Sequence, residues 1–207
     1  MIGRIARIIE ENVPPIEAPR RDLEQYTTPA DMSAFIAVHA LNSGILEGAR
    51  AADLAAGTCR LCIALLLLGA ASCLAVDVDS RLPEGCYKAA SRLGLAGKID
   101  YVVSRIGGSR GPLSPGSVEI IVTNPPFGVW RRGADWEILE YALSLSPLRV
   151  YAILKQGNIE FHERRARSHG YRAILLSTGK FPIRASMPGH RSRVRWIGVD
   201  IVVFDKA

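Results

Sequence analysis

Apolar positions recur along the chain in short blocks that alternate between a helical and an extended spacing. Ile2, Ile5, Ile8 and Ile9 repeat every three to four residues, which predicts a short amphipathic helix from Ile2 to Asn12. Val13-Pro14-Pro15 ends it, and the stretch to Arg21 reads as an irregular arm. Thr28 followed by Pro29 predicts a helix start, an N-cap hydroxyl before a proline at the first turn, with Asp31 at the positive end of the dipole. That helix should run to about Asn42. Beyond Gly44 the chain alternates: strand Ala49–Leu54, helix Arg60–Leu68, strand Cys73–Val76, a helix through Tyr87 to Leu93, strand Ile99–Val103. A loop rich in Gly, Pro and Ser, from Arg105 to Gly116, leads to strand Val118–Thr123, helix Asp135–Leu145, strand Val150–Leu154 and helix Ile159–His169. Two last strands, Ala173–Ser177 and Trp196–Phe204, have no convincing helix between them, which predicts an antiparallel finish. Strands alternating with helices over this length predict an open, doubly wound α/β sheet. Residues 1–22 form an extension and residues 23–207 one domain. Val102 and Val103 suggest that the third strand lies at an exposed edge, which invites a partner strand.

Composition narrows the class. With 48% hydrophobic and 22% charged residues the chain is globular, not disordered. The apolar run Leu61–Val76 is interrupted by Gly69 and Ser72 and is too short for a bilayer, and Arg4 and Arg7 break any leader pattern. A cytoplasmic protein without a membrane partner is expected. Lys and Arg number 26 against 20 acids, and only Lys88, Lys98, Lys155, Lys180 and Lys206 are lysines. Arginine forks suit phosphates and stack on bases, so a nucleic-acid partner is expected; extra surface ion pairs for heat resistance are the other reading. Cys59-x-x-Cys62 has zinc-like spacing, yet no second pair completes four ligands. With Cys73 and Cys86 these residues read as buried thiols, neither metal ligands nor a disulfide framework.

In open α/β sheets the ligand crevice lies outside the carboxyl ends of the strands. Asp53, Asp77 and Asn124 fall there. An acid ending the second strand commonly accepts from ribose hydroxyls, although such acids also cap helices. Asn124-Pro125-Pro126-Phe127 carries more information. Two prolines stiffen the backbone, so the Asn124 carboxamide and the Pro125 carbonyl can be fixed as two acceptors for an exocyclic amino group. Phe127 offers a stacking face for a planar ring.

These residues resemble a known family. Asn-Pro-Pro-Phe after the fourth strand is similar to the catalytic motif of S-adenosylmethionine-dependent amino methyltransferases. Together with Glu24-Gln25-Tyr26-x-Thr28, Asp53-Leu54-Ala55-Ala56-Gly57 and Val76-Asp77-Val78-Asp79, in order and spacing, it resembles the ribosomal RNA adenine-N6 methyltransferases. The resemblance runs from about Leu23 to the C-terminus. It implies a Rossmann-like class I methyltransferase fold, a mostly parallel seven-stranded sheet with helices on both faces and an antiparallel final strand. It implies that Gln25, Tyr26 and Thr28 close over S-adenosylmethionine. Asp53, Ala55 and Gly57 belong to its loop, Asp77 with Val78 to the ribose, and Ser104 and Asn124 to the rest of the cofactor. Asn124, Pro125, Pro126 and Phe127 would hold the target adenine. A small zinc-binding activator subunit beside the sheet is implied as well. Two departures stand out: Ala55, Ala56 and Cys59 occupy places where the family carries glycines, and Ser104-Arg105 stands where it carries an acid. Loss of that acid would weaken cofactor binding by about 1–2 kcal/mol.

The expected reaction is a direct displacement in which Asn124 and Pro125 hold the amino hydrogens as positive charge develops on nitrogen. Arg131 and Arg132, just after the motif, and the alternating Arg191, Arg193 and Arg195 are expected to contact RNA. Arg164, Arg165 and Arg167 read as a solvated helix face. Two other readings remain open: another amino methylation, of DNA adenine or protein glutamine, and an RNA-binding module that has lost its cofactor.

Overall fold

A computed structural model describes residues 1–108, 110–128, 131–184 and 194–207. In chain order the elements are α1 (Ile2–Asn12), a 3-10 turn (Arg21–Leu23), α2 (Ala30–Asn42), β1 (Arg50–Leu54), α3 (Arg60–Leu67), β2 (Ser72–Asp77) and α4 (Pro83–Arg92). There follow β3 (Ile99–Val103), β4 (Ile120–Thr123), α5 (Ala134–Ser144), β5 (Arg149–Lys155), α6 (Ile159–Arg167), β6 (Tyr171–Arg184) and β7 (Val194–Lys206). The seven strands form one sheet in the order β3-β2-β1-β4-β5-β7-β6, with β7 antiparallel to both neighbours. This is the class I methyltransferase architecture. The order reverses beside β1, where β2 and β4 flank it, so the crevice opens above the carboxyl ends of β1, β2 and β4.

The central strands are buried on both faces, which is why they read as nearly continuous apolar runs. On one face Ile9, Ile36, Ile63 and Leu65 build a core under α1, α2 and α3, and α4 contributes Cys86, Ala89 and Ala90. On the other, Leu139, Tyr141 and Ala142 of α5 and Ala166 of α6 cover Leu154, Val202 and Phe204. The opening helix is part of the first core: Ile5, Ile9 and Val13 are buried, each worth about 1.5–3 kcal/mol. Buried Arg60 ties it down, donating to the Val13 carbonyl at 2.7 Å and to Glu10 at 2.8 Å.

Three expectations need correction. Thr28 does not cap α2; Pro29 occupies that position without a side-chain bond, and the Thr28 hydroxyl serves Asn124 instead. The last two strands run well past Ser177 and begin before Trp196. Their mutual pairing extends from Tyr171↔Lys206 to Arg184↔Val194, so polar Ser177–Lys180 stays extended because β7 satisfies its backbone. The cysteines are not free thiols: Cys59 pairs with Cys86 and Cys62 with Cys73, with Cα separations of 5.8 and 5.7 Å. Helix packing brings together residues that sequence separation left apart.

Candidate active site

A cleft of about 920 Å³, counting its open mouth, lies above the carboxyl ends of β1, β2 and β4. Its floor begins with the loop after β1. Ala55, Gly57 and Cys59 take left-handed backbone conformations at φ of 60°, 53° and 66°. Two of these residues carry a Cβ, which costs about 1–2 kcal/mol each in this conformation. The loop therefore has the shape a glycine-rich turn would take, reached with only one glycine. Its Gly57 N–H donates to Asp77 Oδ2 at 2.9 Å, while Asp77 Oδ1 accepts from the Asp79 N–H at 3.0 Å. Asp77 lines the cleft, and burial raises its carboxyl above the usual range against the pull of these N–H groups.

The arm before α2 folds down as one wall. Arg20 N–H donates to Gln25 Oε1 at 2.8 Å, Ile16 N–H to Thr27 Oγ1 at 3.0 Å, and Gln25 Nε2 to Asp79 Oδ2 at 2.8 Å. Asp79 is buried yet held well below the usual carboxylate range, chiefly by the Arg81 guanidinium 2.5 Å away. An ionised Asp79 thus anchors the Gln25-Tyr26 segment to the β2 end of the sheet.

At the end of β4, Asn124 Nδ2 donates to Thr28 Oγ1 at 3.1 Å. That bond turns Asn124 Oδ1 the other way, where it is buried and has no partner among the described residues. An unpaired buried acceptor costs about 1–3 kcal/mol, so a group that donates to it recovers that amount. Phe127 lies beneath, 6% exposed and nearly parallel to Tyr26, with ring centroids 5.9 Å apart. Phe181 meets Phe127 edge-on at 5.5 Å.

Gln25, Tyr26, Ala55, Gly57, Asp77, Val78, Ser104, Asn124 and Pro126 all line the cleft, as does Arg131. Several expected residues do not. Asp53 is buried below the loop, 1% exposed, and accepts the Cys62 N–H at 3.2 Å; burial pushes its carboxyl well up, so it fixes the start of α3 from within the core. Thr28 acts through Asn124. Pro125 and Phe127 are not on the cleft wall, and Tyr26 covers the face of Phe127 that was expected to stack on a base. Arg131 is paired with Glu137 at 2.6 Å, and Arg132 is exposed beside it. Arg191 and Arg193 lie outside the described residues, and for Arg195 only the backbone is described, on β7. Of the helix arginines, Arg165 lies over Trp136 and Phe161, at 5.1 and 4.8 Å from their ring centres, and Arg167 pairs with Glu163. Ile16, Leu23, Ile106, Ala134 and Ile138 also line the cleft and carried no motif signal, and Arg105, noted only as standing in place of the family's acid, lines it too. Ile16 was legible only as an apolar residue stranded in a proline-rich arm.

Among the described residues no group of His, Cys, Asp and Glu is placed to hold a metal, and no helix is long and apolar enough to cross a membrane. No family model matches the chain. It is similar along nearly its whole length to the rRNA N(6)-adenosine-methyltransferase Mettl5 of Drosophila melanogaster, 28% identical over 94% of this chain and 92% of that protein. The Danio rerio METTL5 enzyme is 25% identical over 94% of each. Among solved structures, a candidate RNA methyltransferase from Pyrococcus horikoshii superposes with a TM-score of 0.86 at 29% identity, covering 99% of this chain and 97% of that one.

Proposed function

We propose that this chain transfers a methyl group from S-adenosylmethionine to the N6 amino group of an adenosine in structured RNA, with ribosomal RNA as its substrate. The observation that carries the chemistry is at Asn124, which lines the cleft and whose buried Oδ1 has no hydrogen-bond partner among the described residues. The full-length likeness to enzymes named for that reaction carries the choice of substrate.

The residues present fit the cofactor. Asp77, an acid at the end of β2, lines the cleft, as a partner for ribose hydroxyls must, and the left-handed loop Ala55–Gly57 lets backbone approach closely. Bound there, S-adenosylmethionine supplies a methyl group already activated on a sulfonium. The chain's part is to position and polarise. Thr28 holds the Asn124 amide in one orientation, so Oδ1 accepts from the target amino group. Pro125, stiffened by Pro126, is buried off the cleft wall, so its carbonyl would accept the second hydrogen only once the base has entered beside Asn124. Both acceptors gain strength as positive charge develops on nitrogen, which is how fixed dipoles lower a barrier. One proton then leaves to water, and no side-chain base is required. Phe127, nearly parallel to Tyr26 with ring centroids 5.9 Å apart, backs the aromatic wall beside the target base.

Arg131, which lines the cleft, and its exposed neighbour Arg132, with the net charge of +6, supply phosphate contacts. The activator subunit implied by the family resemblance would add at β3, the edge of the sheet, where Val103 is 48% exposed. The test is product analysis. The chain is incubated with S-adenosylmethionine and ribosomal RNA, and the RNA is digested to nucleosides. N6-methyladenosine is expected; a methylated cytosine or guanine, or label in protein instead of RNA, would refute the reading.

A further inference from the structure

Beyond the end of β5 the last two strands continue alone as a two-stranded arm. Lys155 pairs with Val199, so Val194–Gly198 has no β5 partner and is held by β6. One face of this arm carries Phe181, which packs on Phe127 of the motif. Side chains alternate across a strand, so Lys180 belongs to the other face, opposite Gly198 on β7, and Trp196, opposite Pro182, lies on that same face two residues along. A groove of about 810 Å³, counting its mouth, lies there, lined by Gln156, Thr178, Gly179, Lys180, Trp196 and Gly198.

Its chemistry is unusual for a surface. Trp196 is 59% exposed, a large aromatic left in water. Around it are polar groups, not an apolar patch: Thr178 and Lys180 are exposed, and Lys180 forms no ion pair among the described residues. Gln156 crosses the floor, its N–H donating to the Gly198 carbonyl at 3.0 Å. A Cβ on Gly198 would come within 2.3 Å of Gln156 Oε1, so the glycine makes room for that amide. An aromatic face, an amide beside it and an unpaired cation are the three groups that recognise one unpaired nucleotide: stacking, base edge and phosphate. We propose that this groove holds a nucleotide flanking the target adenosine, its base on the Trp196 indole and its phosphate on Lys180. This rests on the RNA reading above. It adds a second anchor, one strand face away from the reacting base, which would hold the RNA while the target is turned out of its stack.

The test compares the full chain with Trp196→Ala, Trp196→Phe and Lys180→Ala. Stacking is worth about 1–3 kcal/mol per base, so Trp196→Ala should raise KM for ribosomal RNA by about 5- to 150-fold. The turnover number and S-adenosylmethionine affinity should stay unchanged, and Trp196→Phe should recover most of the loss. A KM within twofold of wild type in a folded Trp196→Ala protein overturns the proposal. If the wild-type chain methylates no RNA, the functional reading fails by itself, and the groove is then judged by titration with a short single-stranded oligoadenylate. Quenching of tryptophan emission that Trp196→Phe abolishes supports the groove as a nucleotide site; emission unchanged by the oligonucleotide refutes it.

Discussion

Removing the two disulfides should lower stability by an amount the chain itself sets. Cys59–Cys86 closes a loop with a sequence separation of 27, and Cys62–Cys73, nested inside it, one of 11. The chain-entropy relation gives about 3.6 kcal/mol for the outer bond alone and about 2.8 kcal/mol for the inner one. Because the inner bond shortens the outer loop, together they contribute about 6 kcal/mol. For a domain of this size that corresponds to a fall in melting temperature of about 10–20 °C. The perturbation is Cys→Ala replacement of each pair and of both, since the buried sulfurs resist reduction while the chain is folded. The assay is thermal unfolding by circular dichroism, beside a thiol titration of the denatured, unreduced protein. Cys59 closes the left-handed loop at the cleft, so its pair should also loosen cofactor binding, whereas the inner pair should affect stability alone. Four titratable thiols, together with a melting temperature unchanged in the quadruple variant, would refute the pairing and restore the reading of free buried thiols.

Other outcomes follow from the site. Asp77→Ala should abolish micromolar binding of S-adenosylmethionine in a calorimetric titration; a heat signal equal to wild type would remove Asp77 from the site. Burial raises the Asp53 carboxyl, so the folded state binds a proton the unfolded chain has already released. Stability should therefore decline as pH rises from about 4 toward the raised folded value, and Asp53→Asn should flatten that slope in denaturant titrations; an unchanged slope would mean the carboxyl is not the source. Ala55→Gly should relieve about 1 kcal/mol of left-handed strain net of the extra freedom it gives the unfolded chain. A destabilised Ala55→Gly protein would show that the methyl group's packing outweighs the strain.

Much of the fold was legible because its signals are local. Every helix and strand came from periodicity and punctuation, with ends shifted by a residue or a few. The exception was the outer half of β6, where Ser177–Lys180 is polar and extended only because it pairs with β7. The cleft was legible where a motif fixes the backbone, as at Asn124, Pro126 and Asp77. It was not legible where contact across the fold decides a role. Thr28 looked like a helix cap and instead orients Asn124 from 96 residues away. Asp53 and Phe127 lie in motifs that border the cleft, but one supports α3 from the core and the other lies under Tyr26. The cysteine pairs depend on how α3 packs against β2 and α4, which spacing alone does not specify.

The most direct test of the central claim is single-turnover methyl transfer to ribosomal RNA by wild type and Asn124→Ala, with S-adenosylmethionine affinity measured on both. Loss of the aligned acceptor should slow transfer by about 10²- to 10³-fold, the scale for removing one group aimed at developing charge, while cofactor affinity stays within a few-fold. Transfer at the wild-type rate in Asn124→Ala would contradict the account, since the unpartnered oxygen would then have no part in the reaction.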